Sequence, residues 1–197
     1  ALEKQGILGL YTMPWQPTGI FTSRKLNELA DLKGSRFRTF SPATSRFAEL
    51  AGAIPTSVQV AEVPQAFRTG MVDAMITSGA TAIDTQAWDY VKYYYDVKAM
   101  LVMNIIMVNK KAFDALPEAT RNVILAAAKR AEERGWQTSE EVTASLNKTM
   151  SEKGIEIVQP SDKLKADIAE VGHKMAEEWT AKTGEDGMAV LKAYRGN

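Results

Sequence analysis

The sequence contains no cysteine and one histidine, His173. Without cysteine there are no disulfides, no thiolate metal sites and no thiol nucleophile. A lone histidine rules out most histidine-based metal clusters and the usual catalytic triads. Neither sign of charge is in excess, with 24 basic and 24 acidic residues. No basic surplus exists to neutralise phosphates, so nucleic acid is not an expected partner. No apolar run approaches the roughly 18 residues that a membrane span needs. The longest candidate, Met100 to Val108, is interrupted by Asn104 and reads as a buried strand. No glycine-rich motif leads into Lys-Ser or Lys-Thr at the spacing of a phosphate loop. No leader peptide is recognisable. The chain starts at Ala1 rather than Met, which is compatible with a processed or shortened start.

What remains is ordinary for a globular protein: 197 residues, 45% hydrophobic and 24% charged. That length suits one large domain or two small ones. Ile7 to Met13 reads as a strand, followed by the Pro-rich stretch Pro14 to Gly19. Ser35–Phe40 alternates polar and apolar residues as a half-buried strand does, and a helix follows from Pro42 to about Ala51. Ala53 to Val60 is the next strand, with Val58 and Val60 on one face, before a short helix over Glu62 to Thr69. Val72 to Thr77 is a third strand, turning at Ser78-Gly79 into a helix that carries Trp88. Strands alternating with short helices predict an α/β unit with a mainly parallel sheet. Leu101 to Asn109 is one more strand. From Pro117 almost to Lys153 the pattern is helical, about 54 Å of helix, so it should cross more than one lobe or bend, with Gly135 the natural place for a bend. Ile155 to Val158 is a short strand. The last helix carries Leu164, Ile168, Val171, Met175 and Trp179 as one buried stripe.

The segment Asp31 to Thr44 is the most informative. Ser41 suits an N-cap and Pro42 the first helical position. Arg38 therefore sits near the carboxyl end of a strand and close to a helix N-terminus, both of which favour an anion. On these residues alone, a surface arginine in an ion pair is an equal alternative. Thr77-Ser78-Gly79 ends another strand. If the strands are parallel neighbours, its hydroxyls join Arg38 on the same sheet edge. Donors without a nucleophile or base form a binding site rather than an active site. The run Trp88 to Tyr95 supplies aromatics for a cleft or, more simply, a helix and loop packed on the sheet. The carboxylate pairs Glu132-Glu133, Glu140-Glu141 and Glu177-Glu178 read as solvated helix faces, and His173 as a partly exposed structural residue.

Several stretches together resemble the solute-binding proteins of TRAP transporters, the DctP family. They are Asp31-Leu-Lys-Gly followed by Arg-Phe-Arg, Ala51-Gly-Ala, Ala61 to Asp73, and Val108 to Pro117 with the long helix after it. The resemblance covers essentially the whole chain. It implies a periplasmic, two-lobed α/β protein of type II periplasmic-binding-protein architecture, with a long lobe-spanning helix. Such a protein closes around an organic acid and delivers it to TRAP membrane subunits, using no cofactor or metal and performing no catalysis. It also implies that Arg38, in the Lys-Gly-x-x-x-Arg position, grips the ligand carboxylate, with Arg36 the weaker candidate. Thr77 stands where many members carry Asn, which argues against a sialic-acid-like solute and for a smaller or aromatic acid. Thr18 stands where some sialate binders carry a second arginine. Ser78, Ser41, Trp15 and Asn104 fall on segments that face the cleft in relatives.

The resemblance further implies residues 1–103 mostly in the second lobe. Residues 104–143 would form a hinge strand and the long helix contributing to the first lobe, and 144–197 would return to the second. The family's N-terminal third has no counterpart here, so the first lobe is expected to be incomplete. Weak ligand binding by this chain alone, or none at all, is then expected, as is a homodimer or a missing partner segment covering exposed sheet. The alternative function is a ligand-sensing regulatory domain of the same architecture, disfavoured by the lack of a basic helix-turn-helix segment. An enzyme is disfavoured by the lack of a nucleophile–base pair.

Overall fold

The computed structural model describes residues 2–196, the side chain of Glu140 excepted. After a 3-10 turn at Leu2–Gln5 come β1 (Ile7–Pro14) and β2 (Gly19–Thr22). Two strand–helix units follow, β3 (Arg36–Thr39) with α1 (Pro42–Leu50) and β4 (Ile54–Ser57) with α2 (Val63–Arg68). β5 (Ala74–Thr77) leads directly into α3 (Gly79–Asp84). β6 (Tyr93–Tyr95), β7 (Met103–Asn109), α4 (Lys110–Asp114) and α5 (Glu118–Glu152) come next. β8 (Glu156–Val158) and α6 (Asp162–Arg195) complete the described chain.

Six strands form one sheet in the order β4-β3-β5-β2-β6-β8. Five of them run the same way, and β2 is antiparallel to both its neighbours. Successive residues of a strand point to opposite faces, and here the two faces feed two cores. Ile20, Phe37, Ile76 and Tyr95 join Phe47 of α1 and Leu164 and Val171 of α6 on one side. Phe21, Met75 and Tyr94 join Val63 and Ala66 of α2, Ala82 of α3 and Met150 of α5 on the other. The sheet is therefore covered by helices on both faces, the doubly covered arrangement of α/β proteins.

β1 and β7 pair separately as an antiparallel ribbon, Ile7 opposite Asn109 and Pro14 opposite Met103. The two chain crossings between ribbon and sheet lie side by side. The Trp15 N–H donates to the Val102 carbonyl (2.8 Å), and Thr18 and Ala99 exchange bonds with Met100 and Thr18 at 2.9 and 3.0 Å. α5 is the third connection. Its Glu132 carboxylate accepts from the Thr12 N–H (2.8 Å) and the Thr12 hydroxyl (2.6 Å) of β1. At its other end Met150 is fully buried under the sheet.

Several expectations need correction. β2 and β6 are strands that the sequence pattern hides: β2 is four residues long and opens on Gly19, and β6 is three tyrosines inside an aromatic run read as helix and loop. β4 stops at Ser57, so Val58 is buried while Val60 starts a 3-10 turn and is 46% exposed. Trp88 lies in a 3-10 turn beyond α3. No break falls at Gly135. α5 runs as one helix of 35 residues, about 52 Å at 1.5 Å per residue, and Gly135 packs on Met13 instead. The interruption is in α6, at Gly184 (φ 65°). The buried stripe of α6 ends near Met175, and Trp179 is 43% exposed.

Four carboxylates tie elements together, and each is held below its ordinary pKa. The N–H groups of Asn27 and Glu28 do this for Asp31, and the Thr12 hydroxyl and N–H for Glu132. Lys163 and the Leu29 N–H act on Asp167, and Arg46 on Glu178. A lowered folded-state pKa means stability that is present above the unfolded value of about 4 and lost as pH falls through the folded value. Thermal melts should therefore show a plateau above about pH 5 and a steady fall in Tm below about pH 4. A Tm unchanged between pH 5 and 3 would contradict these ties.

Candidate binding cleft

β3 and β5 are parallel, so both deliver their carboxyl ends to one edge of the sheet. β2 is antiparallel and begins at that same edge, with Gly19 opposite Thr77. The edge thus collects Arg38, Thr77, Ser78 and the crossing segment from Trp15 to Thr18. These residues line one cavity of about 240 Å³, with Phe40, Gln59, Val60, Thr81 and Val102.

Arg38 is the notable member. It is only 1% exposed, among the largest fully buried side chains. Its Nε–H donates to the Val58 carbonyl at 3.0 Å, and the guanidinium carbon lies 5.0 Å from the centre of the Phe40 ring. Among the described residues it takes part in no ion pair. Burial draws its pKa below the usual arginine value, a shift opposed by the nearby Tyr90 hydroxyl. An arginine nevertheless stays charged at neutral pH. A buried cation without a carboxylate partner is costly. Here the Val58 bond fixes the guanidinium plane and leaves the Nη1/Nη2 end, which is the geometry for end-on bidentate contact with an external anion.

Thr77 ends β5 and is 4% exposed, with no side-chain hydrogen bond among the described residues. Ser78 caps α3, its Oγ accepting from the Thr81 N–H (3.3 Å) and lying 3.2 Å from the Thr81 hydroxyl. Trp15, 39% exposed, forms one wall. Asn104 is not in this cavity. It lies in an adjoining one of about 480 Å³, which shares Trp15 and adds Gln16 and Arg134. Ser41 lines neither. Its hydroxyl accepts from the Thr44 N–H (3.2 Å) and its own N–H donates to the Thr44 hydroxyl (3.0 Å), the capping role read from sequence. Arg36, at the start of β3, is paired with Asp73 at 3.5 Å in an exposed position.

Phe40, Gln59, Val60, Thr81 and Val102 were not singled out by sequence. Thr81 alone carried a usable signal, a helix N3 residue three after the capping Ser78. A larger cavity, about 590 Å³, lies between the two arms of α6 around His173, Glu177 and Lys192. It is far from the strand edge and is rimmed by exposed side chains. Among the described residues no three acidic or histidine groups are placed to hold a metal, and no helix is long and apolar enough to cross a membrane.

Residues 1–183 match the family described as bacterial extracellular solute-binding protein, family 7 (DctP). Three solved structures superpose closely. DctP7, a Bordetella pertussis extracytoplasmic solute receptor binding pyroglutamic acid, is 47% identical with a TM-score of 0.95, over 98% of this chain and 64% of its own. DctP6 from the same organism, also binding pyroglutamic acid, is 42% identical with a TM-score of 0.96, over 100% and 65%. A marine metagenome TRAP solute-binding protein with co-purified pyroglutamate is 30% identical with a TM-score of 0.92, over 100% and 64%. The chain thus spans slightly less than two thirds of the length of these relatives. With a family match over nearly all of its residues, the chain belongs to the DctP family of bacterial extracellular solute-binding proteins.

Proposed function

We propose that the protein is the periplasmic solute-binding subunit of a TRAP transporter and that it binds a compact organic acid, with pyroglutamate the first candidate. The observation that carries this is Arg38: a buried guanidinium whose Nε is already engaged, which has no carboxylate partner among the described residues and which lines a cavity. In this reading the solute carboxylate takes the Nη pair, and the Thr77 and Ser78 hydroxyls supply further hydrogen bonds. Trp15, Phe40, Val60 and Val102 pack against the apolar body of the solute. The relatives at 47%, 42% and 30% identity are each described as binding pyroglutamic acid or pyroglutamate, which supports the same class. The protein would act as a carrier rather than a catalyst, handing the acid to TRAP membrane subunits. Residues 104–143, through β7 and α5, would serve as the link between lobes, with 1–103 and 144–197 forming most of one lobe. The regulatory-sensor alternative and the homodimer have no support among the relatives.

An NMR titration of these 197 residues with L-pyroglutamate tests the reading. Saturable shifts at the amides of Arg38, Thr77 and Ser78, absent in Arg38→Ala, are the expected result. No shift up to about 10 mM solute, a binding free energy of only a few kcal/mol, would overturn pyroglutamate as the solute. The same silence across a panel of small carboxylates, repeated with a version extended to the length of the relatives, would overturn the function.

A further inference from the structure

We infer that Gly79 is a positioning residue for the anion site, its missing side chain allowing the Thr77–Ser78 turn to seat directly on α5. The inference rests on the reading above, in which Thr77 and Ser78 contact the solute. Gly79 is buried and is the first residue of α3, immediately after those two cavity-lining residues. A Cβ built at position 79 would stand 3.4 Å from Leu146 Cβ, 3.4 Å from Met150 Cε and 3.6 Å from Leu146 Cδ1, all on α5. One methyl group just fits there, and anything larger does not. The need is for space and not for backbone freedom, because Gly79 has no positive φ.

α5 cannot move aside to make that space. Met150 is 0% exposed in the core between helix and sheet. Further along, α5 is fixed to the ribbon by the two Thr12–Glu132 hydrogen bonds and by Gly135 packing on Met13, where a Cβ would come within 3.4 Å. α3 is the lighter body, six residues long, and it would be the element that shifts. Arg38 would not follow, because it sits on β3 between β4 and β5 and is tied to the Val58 carbonyl. Thr77 is held likewise, in β5 opposite Gly19, so enlarging residue 79 changes the separation between the Ser78 hydroxyl and the guanidinium. Binding sites lose function on displacements of about 1 Å.

The test compares Gly79→Ala, Gly79→Val, Leu146→Ala and the double variant Gly79→Val/Leu146→Ala. Each is titrated with L-pyroglutamate and melted without it. Gly79→Ala should bind within about threefold of wild type, and Gly79→Val about tenfold or more weaker. The double variant should recover most of that loss, because Leu146→Ala vacates the space that the valine methyls need. A residue with only a structural role would lower Tm in Gly79→Val and leave the affinity of the folded protein unchanged, and that result overturns the inference. So does a double variant that binds no better than Gly79→Val. If wild type binds no acid, the proposed function fails separately, and the crystal structure of Gly79→Val decides this point. A Ser78-to-Arg38 separation changed by about 1 Å, and restored in the double variant, supports it; an unmoved turn overturns it.

Discussion

Arg38→Lys should weaken binding of the proposed organic acid about tenfold to a hundredfold, and Arg38→Ala should weaken it beyond that, to the edge of detection. A charge-assisted hydrogen bond contributes about 1.5–3 kcal/mol, and each 1.4 kcal/mol is a factor of ten. An ammonium keeps the charge but offers no planar fork, so one of two parallel bonds is lost along with the angle of the other. It also loses the Val58 carbonyl bond that orients the group. The companion expectation concerns stability. Arg38 is a 1% exposed cation with no carboxylate partner among the described residues. Methionine removes that burial penalty of several kcal/mol at similar length, against about 1.5–3 kcal/mol for the lost charge-assisted Val58 bond. Arg38→Met should therefore bind no acid yet melt, without solute, at or above the wild-type temperature. Titration calorimetry and a thermal scan check both parts. Wild-type affinity in Arg38→Lys removes the role given to the guanidinium fork, and a large Tm loss in Arg38→Met would show that the arginine is chiefly structural.

Gly19→Ala is the substitution with the largest effect on folding, costing at least about 3 kcal/mol. A Cβ at Gly19 would overlap the Tyr94 ring and stand 2.6 Å from the Tyr95 carbonyl oxygen. Gly19 lies in β2, an inner strand hydrogen-bonded on both sides, so neither β5 nor β6 can yield without breaking pairs. Tyr94 is 3% exposed and its ring packs tilted against Phe21, centroids 4.5 Å apart, so it has little room to swing away. For a chain of this size each kcal/mol is about 2–4 °C in Tm. A drop of about 10 °C, or failure to accumulate in soluble form, is the expected outcome, read by circular dichroism. A Tm within a few degrees of wild type would mean that the sheet accommodates the methyl group.

The strand–helix units were legible wherever a turn residue and a cap bracketed an alternating run, as Gly34 and Ser41 bracket β3. The same cap logic placed Arg38 beside a helix start. β2 and β6 were hidden because three or four residues hold too little periodicity, and because their stability comes from neighbours distant in sequence. The wall residues Phe40, Val60 and Val102 were hidden for a related reason. An apolar side chain at a cleft and one in a core look alike until the sheet edge is built. Gly135 was read as the place for a bend, but a glycine answers equally to close packing, here on Met13, and α5 continues through it unbroken.

The ribbon has a consequence for assembly. Ile7 pairs with Asn109, roughly a hundred residues later, and β8 joins the sheet only after the chain has run out through β7 and back through α5. Contacts so distant in sequence are slow to form, because the intervening chain must be closed first. The local units from β3 to β5 can form while the ribbon is still open, so the ends that frame the cleft come together last. A chain wired in this way stays loose for longer than its size suggests.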